Sequence, residues 1–288
     1  MTPEELERRR TVVGASEAGL LFGLKAFGGK TIADMDFEKR YGMERESKGN
    51  QSTDFGKKFE KDVLDWAEEK LESQIIDRQK WLTLGCNGAT LDGRVEECGA
   101  VIDAKTSGIF GPSKLSEWGD ELSDSIPEFY IVQLNAQMLV TGAELAYLAA
   151  LIGGRGFAMF RAEPSQGLMA EIERRSREFI LSLSTDVVYP EPPQLDTLKR
   201  IRRDPGKTLP RSDRTDELWE RLSEAKASAK TSDEAKELAE RKWYAAMQDA
   251  DAVQVPDGLF TYLERTVQYK PKLASEATFR FPFLKKGG

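Results

Sequence analysis

Asp103 and Lys105 stand two residues apart in Val101-Ile102-Asp103-Ala104-Lys105-Thr106. Strand side chains alternate, so a strand here places Val101, Asp103 and Lys105 on one face and Ala100, Ile102 and Ala104 on the other. A carboxylate and an ammonium inside an apolar strand need partners, because an unpaired buried charge is costly. Asp92, in Leu91-Asp92-Gly93-Arg94-Val95, sits on a turn just upstream. A hairpin would fold it back against Asp103. Two close carboxylates and a lysine can hold a hard cation and orient a water for attack on a phosphodiester. The candidate chemistry is metal-assisted phosphodiester hydrolysis, and oxygen ligands favour Mg²⁺ or Mn²⁺ over zinc.

Composition narrows the alternatives. The 288-residue chain has no histidine, which removes the Ser-His-Asp hydrolases, histidine general bases and nearly all zinc enzymes. Hydrolysis would run on carboxylates, lysine, tyrosine or a metal. The net charge of −7 weighs mildly against a nucleic-acid partner, but binding is local. Basic residues gather at Arg8, Arg9 and Arg10, and again at Lys199, Arg200, Arg202, Arg203, Lys207, Arg211 and Arg214. Each cluster reads either as a phosphate footprint or as solvated surface. Cys86 and Cys98 lack metal-ligand company and are expected to be reduced, in a cytoplasmic protein. No apolar run reaches the length of a membrane span. Met1-Thr2-Pro3-Glu4-Glu5 lacks the apolar core of a signal peptide, so no membrane partner is expected.

The elements that would hold these residues follow from periodicity and punctuation. Ser16 is expected to cap a short helix through Phe22, ended by Gly23, and Thr31 a second through Tyr41, ended by Gly42. Gly42 to Thr53 reads as a loop. Phe55, Phe59, Val63, Trp66 and Leu71 follow helical spacing over about 55–72, with Glu60 beside the apolar stripe. Strands are expected at about 75–84, 88–95 and 99–106. After a loop or short helix over 108–125, Pro127 opens a helix to Val140 on which Tyr130, Gln133 and Gln137 share a face. A hairpin over Gly153-Gly154 joins strands 146–152 and 157–162, and a helix covers 167–183. Pro190-Glu191-Pro192-Pro193 marks a boundary. Beyond it lie the basic stretch 199–214 and a helical hairpin, 215–229 and 233–250. Leu218, Leu222 and Ala225 of its first helix are expected to face Ala235, Leu238 and Ala239 of its second, with Thr231-Ser232 at the turn. A β-hairpin over 258–282 follows. The order implies an α+β core, a mixed sheet flanked by helices.

In chain order the motifs are Arg9 ahead of Gly14-Ala15-Ser16-Glu17, then Phe55-Gly56-Lys57-Lys58-Phe59-Glu60, Thr90-Leu91-Asp92-Gly93, Ile102-Asp103-Ala104-Lys105 and Tyr130-Ile131-Val132-Gln133-Leu134-Asn135-Ala136-Gln137-Met138. This series resembles the PD-(D/E)xK nucleases, and more closely the lambda-exonuclease or YqaJ-type viral recombinase family, over about residues 8–182. Leu91 stands where the motif has proline, and Asp103 where glutamate is commoner. The resemblance implies a restriction-endonuclease-like core over 1–190, with 191–288 as an accessory extension. It implies a Mg²⁺- or Mn²⁺-dependent 5′→3′ exonuclease on linear double-stranded DNA, working as a ring-shaped homo-oligomer beside a single-strand annealing protein. Asp92, Asp103 and the Ala104 carbonyl would ligate metal, and Glu60 would ligate it or position water. Lys105 would polarise the attacking water, and Gln133 would hold the substrate's active-site end. Arg9, with Arg10 as an alternative, and Ser16 would bind the terminal 5′-phosphate. Thr90, Tyr130 and Gln137 would be further DNA contacts. The rival readings are an endonuclease or RecB-like nuclease, and a non-catalytic DNA-binding protein on a degenerate nuclease fold.

Overall fold

The stretch from Ile75 to Ser107 makes five short strands where alternation predicts three. The structure is a computed structural model, and it describes residues 3–24, 26, 28–43, 51–108, 115–227, 233–269 and 275–286. Two compact units emerge, one of residues 1–39 and 46–188, the other of 40–45 and 189–288.

The first unit opens with α1 (Pro3–Arg8), β1 (Val13–Gly14) and a 3₁₀ helix over Ala15–Phe22. Its N-cap is Gly14, not Ser16 as expected. The reason is Glu17, whose Oε2 reaches back to accept the Gly14 N–H at 3.0 Å, the role of the third residue in a capping box. Gly23, at φ 75°, ends this helix as glycine in the left-handed region commonly does. In α2 (Ile32–Tyr41) the expected Thr31 cap forms and Asp34 reciprocates it: the Thr31 N–H donates to Asp34 Oδ2 at 2.8 Å and the Asp34 N–H to Thr31 Oγ1 at 3.4 Å. Next, α3 (Gln51–Leu71) begins four residues before the predicted start, so 51–53 are helix rather than loop; 44–50 of that predicted loop lie outside the described residues.

The predicted 75–84 strand is cut into β2 (Ile75–Ile76) and β3 (Lys80–Leu84). Between them Asp77 and Gln79 adopt φ 56° and 58°, left-handed values that a strand cannot continue through. The predicted 88–95 strand is cut at Asp92 into β4 (Asn87–Leu91) and β5 (Gly93–Val95). The two pieces enter different sheets. β4 lies between β1 and β3 in a three-stranded sheet, while β5 joins a five-stranded sheet of order β2-β5-β6-β7-β8. The remaining strands are β6 (Val101–Ser107), β7 (Ala146–Ile152) and β8 (Gly156–Ala162). β6 and β7 run parallel and the other pairs antiparallel, so the sheet is mixed.

Helices flank both faces of this sheet. On one side α4 (Glu128–Thr141) packs Tyr130, Leu134 and Met138 into a core with Val101, Leu148 and Phe160. On the other α3 packs Val63, Leu64 and Ala67 against Ile102, Ala149 and Met159. Each large side chain so buried contributes about 1.5–3 kcal/mol. The alternation of β6 therefore separates its two jobs: Ile102 glues the sheet to α3, while Val101, Asp103 and Lys105 face the α4 side. The unit closes with α5 (Gln166–Ser182), capped by Ser165 Oγ. Of the predicted 108–125 loop, Leu115–Glu117 forms a 3₁₀ turn and 109–114 lie outside the described residues.

The second unit holds α6 (Leu195–Arg200), β9 (Asp204–Leu209), α7 (Asp213–Ala227), α8 (Asp233–Met247), β10 (Ala250–Val255), β11 (Gly258–Tyr269) and β12 (Ser275–Lys286). Its sheet has the order β12-β11-β10-β9. The helical hairpin is present, but its seam differs from the expected one. Leu238 is exposed at 44 %, and the core is an aromatic cluster of Trp219, Trp243 and Phe260 with centroids 5.1–5.6 Å apart. Large aromatic rings bury more surface than the alanines of the predicted seam. The predicted Thr231-Ser232 turn lies outside the described residues. β9, read as part of the basic stretch, is a strand, and so is β10, of which only Ala250 was expected to be helical; Gln248 at φ 53° stops α8 ahead of β10.

Candidate active site

Asp92 sits where the chain leaves one sheet for the other. Gly93 permits the crossing, because a Cβ there would lie 2.1 Å from Ile75 Cγ2. The turn aims the carboxylate across at β6, where Asp92 Oδ2 accepts the Ala104 N–H at 2.8 Å. Asp103, 2 % exposed, points toward α4. Its Oδ1 accepts from Gln133 Nε2 at 2.7 Å and from Gln137 Nε2 at 2.9 Å. Those two glutamines are one helical turn apart, so a single helix face grips one oxygen. The other oxygen, Oδ2, is buried, makes no hydrogen bond and forms an ion pair with Lys105 Nζ. The same ammonium lies 3.4 Å from the Ala104 carbonyl and 5.7 Å from the Tyr130 ring centroid.

The electrostatics follow from burial and these neighbours. Burial, then the like charge of Asp103, push the Asp92 carboxyl up to about 7, against the pull of Lys105 and the Ala104 N–H; Glu60 adds a further upward push. Burial would draw Lys105 down, but Asp103 and Asp92 outweigh it and hold the ammonium above its usual range. Burial pushes the Tyr130 phenol up to about 12.

Most of the residues singled out from sequence line one cavity of about 180 Å³: Arg9, Ser16, Thr90, Asp92, Asp103, Lys105, Gln133 and Gln137. A second cavity, of about 690 Å³, shares Ser16, Lys105 and Gln133 and adds Glu60, Ala104 and Tyr130. Gln133 and Gln137, expected against substrate, hold Asp103. Four expected residues do not line the smaller cavity: Ala104 and Tyr130 line only the larger one, and Arg10 and Glu60 are engaged elsewhere. Arg10 turns away, donating from Nε to the Lys39 carbonyl at 3.0 Å and from Nη1 to Glu7 at 3.0 Å. Glu60 stays at the wall of the larger cavity, where its Oε1 accepts from Gln79 Nε2 at 2.7 Å; the left-handed Gln79 brings that amide to it. Trp81 and Gly88 also line the smaller cavity and were not singled out. Gly88 leaves room for the indole, since a Cβ would meet Trp81 at 2.8 Å. The signal available was a tryptophan on a strand whose antiparallel partner carries a glycine, Trp81 standing opposite Thr90 with Gly88 two positions away.

Among the described residues, no three His, Cys, Asp or Glu side chains gather closely enough to hold an ion. The donors near one another are Asp92, Asp103 and the Ala104 carbonyl, all hard oxygens of the kind that Mg²⁺ and Mn²⁺ take. They fit a cation on two counts. The buried Asp103 and half-buried Asp92 carboxylates repel one another, and the Lys105 ammonium already lies against two of the oxygens that a cation would share. Mg²⁺ is commonly held by one or two carboxylates, with waters and substrate phosphate completing its shell.

Residues 6–144 match the family model of the YqaJ-like viral recombinase domain, the family that the motifs resemble. A search of curated proteins finds no match. Among solved structures, the chain is similar to an alkaline exonuclease from Laribacter hongkongensis, at 18 % identity and a TM-score of 0.48 over 64 % of this chain and 93 % of that one. The same exonuclease in complex with dAMP aligns at 20 % identity and a TM-score of 0.47, covering 63 % and 92 %. A phage-related exonuclease from Haemophilus somnus 129PT aligns at 12 % identity and 0.48, covering 60 % and 93 %. Both cysteines are free, and among the described residues no helix is long and apolar enough to cross a membrane.

Proposed function

We propose that the chain is a metal-dependent deoxyribonuclease that digests linear duplex DNA from its 5′ ends and leaves single strands for an annealing protein. One observation carries the reading: two carboxylates, a lysine, an arginine and a serine, dispersed over 97 positions from Arg9 to Lys105, line a single cavity. The family match supports a place in viral recombination.

Asp92, Asp103 and the Ala104 carbonyl would hold Mg²⁺ or Mn²⁺, which when bound polarises a phosphoryl oxygen and lowers the pKa of water. Gln133 and Gln137 fix one oxygen of Asp103, leaving the other turned to Lys105 and the cavity. Lys105, held protonated by its two acidic neighbours, supplies positive charge beside the phosphoryl group as negative charge builds there. Glu60 acts from the wall of the adjoining groove. Arg9 and Ser16 take the terminal 5′-phosphate. Arg9 offers the planar fork that matches phosphate oxygens, and Ser16 stands at the start of the 3₁₀ helix, where backbone N–H groups face outward. Thr90 and Tyr130 line the path of the strand. Residues 1–190 form the nuclease core, 191–288 an accessory extension, and the active form is a ring of identical subunits that threads the DNA.

The test is digestion of end-labelled linear duplex in Mg²⁺, run beside a covalently closed circle. The reading expects the linear molecule to shorten from its 5′ ends and the circle to persist. A cut circle points to an endonuclease, and intact linear DNA in Mg²⁺ and in Mn²⁺ overturns the nuclease.

A further inference from the structure

The roles above leave one buried set of charges unused. Glu17 is 6 % exposed and Lys39 5 %, far below what free charged side chains show. Lys39 Nζ donates to Glu17 Oε2 at 2.6 Å and to the Arg9 carbonyl at 2.8 Å. The same Oε2 accepts the Gly14 N–H at 3.0 Å. Lys30 Nζ donates to Glu17 Oε1 at 2.9 Å and to Glu38 at 2.5 Å. Burial by itself would raise the Glu17 carboxyl, but the charges of Lys30, Lys39 and Arg9 outweigh it and hold it well below the usual range.

These bonds tie together the two segments that carry Arg9 and Ser16. Lys39 grips the backbone of Arg9 itself, and Glu17 grips the backbone two residues ahead of Ser16. Gly14 lets the groups close up: a Cβ there would lie 3.1 Å from Glu17 Oε2 and 3.4 Å from Arg9 Nη2.

We propose that the Glu17–Lys39 pair positions Arg9 and Ser16 so that the protein distinguishes a 5′-phosphoryl end from a 5′-hydroxyl end. This rests on the assignment of Arg9 and Ser16 to the terminal phosphate. Neither Glu17 nor Lys39 touches substrate. Lys39 fixes where the Arg9 guanidinium starts from; Glu17 opposes the burial that draws the Lys39 ammonium below its usual range, and holds the 3₁₀ helix start in place.

The experiment compares binding of fluorescent duplexes with 5′-phosphoryl or 5′-hydroxyl ends, read by anisotropy in EDTA so that nothing is cut. Wild-type protein should prefer the phosphoryl end by about tenfold or more, a factor that 1.4 kcal/mol gives. Arg9→Ala should bring the ratio near one, and so should Lys39→Met, with affinity for hydroxyl ends held within about twofold. A merely structural loss would weaken both ends equally and leave the ratio unchanged. Because Lys39→Met strands a buried carboxylate, the double variant Glu17→Gln/Lys39→Met, which leaves no buried charge of this pair behind, is measured alongside with the same expectation. An unchanged ratio in either folded Lys39 variant, with Arg9→Ala sensitive, overturns the proposal alone. A wild-type ratio near one, or an insensitive Arg9→Ala, overturns the phosphate assignment beneath it.

Discussion

The two units use their basic residues differently. In the first, Lys105 is paired with the buried Asp103, Arg9 is held through its carbonyl by Lys39, and both still line a cavity. In the second, part of the basic stretch is taken up by its own fold, while Lys199, Arg202 and Arg214 are exposed. Arg203, 4 % exposed, donates to the Gln248 and Leu198 carbonyls. Arg200 pairs with Asp196 and Arg211 with Asp216, each at 2.8 Å, and Lys207 pairs with Asp249. Arg200 and Arg203 are thus neither solvated surface nor phosphate footprint. A run of arginines in a sequence counts charges, but it does not say whether their hydrogen-bond donors point at a ligand or at the chain's own carbonyls.

That contrast can be broken at several depths. The largest effect belongs to Asp103→Asn, which should cut Mg²⁺-dependent digestion of linear DNA by more than about a hundredfold, since loss of even the outer partners of a metal ligand costs 10–100-fold. Gln137→Leu should cost about tenfold, because Gln133 still holds Asp103 Oδ1; the measurement is single-turnover digestion, with a melting curve to confirm folding. Arg203→Met in the second unit should do the reverse. It leaves the buried Leu198 carbonyl short of a donor, at about 1–3 kcal/mol, and frees the part-buried Gln248 carbonyl, so the melting midpoint of that unit should fall while phosphodiester hydrolysis per folded molecule stays unchanged. A fall in hydrolysis instead of stability would erase the distinction between the units.

Acidity sharpens the comparison within the first unit, because Glu17 and Asp92 are shifted in opposite directions. The folded Glu17 carboxyl lies below its ordinary value of 4.5. Its contribution is present above that pH and lost as the pH falls toward the folded value. Wild type should therefore lose melting temperature faster than Glu17→Gln between pH 6 and pH 3. The folded Asp92 carboxyl lies above its ordinary 3.8, at about 7. Its contribution is present below pH 3.8 and lost as the pH rises through 7. In EDTA, Asp92→Asn should therefore raise the melting midpoint at pH 8 and do least near pH 4, the smallest effect of the set. The opposite pH trend for either variant contradicts its assigned electrostatics.

The sequence was most legible where periodicity and chemistry coincide. Alternation along β6 put Asp103 and Lys105 on one face, and helical spacing on α4 put Gln133 and Gln137 on one face; the structure joins the two faces. Local capping at Thr31 and Gly23 was also readable, because each depends on residues within one turn. Legibility failed where a backbone angle decided the outcome. Asp77 and Gln79 in the left-handed region split one predicted strand and carried Gln79 to Glu60, and no periodicity marks that. It failed again where the third residue outcompeted the first, as Glu17 did Ser16 at the helix start. In the second unit, aromatic packing of Trp219 and Trp243 overrode a seam of small residues that looked equally amphipathic.

The account turns on where a divalent cation binds. Crystals soaked in Mn²⁺ and measured for anomalous scattering give the answer directly. A peak within coordination distance of Asp92, Asp103 and the Ala104 carbonyl, close to the roughly 2.0–2.1 Å of Mg²⁺–oxygen bonds, is the predicted result. Crystals that take up Mn²⁺ only elsewhere, with Lys105 still seated on Asp103, would contradict it.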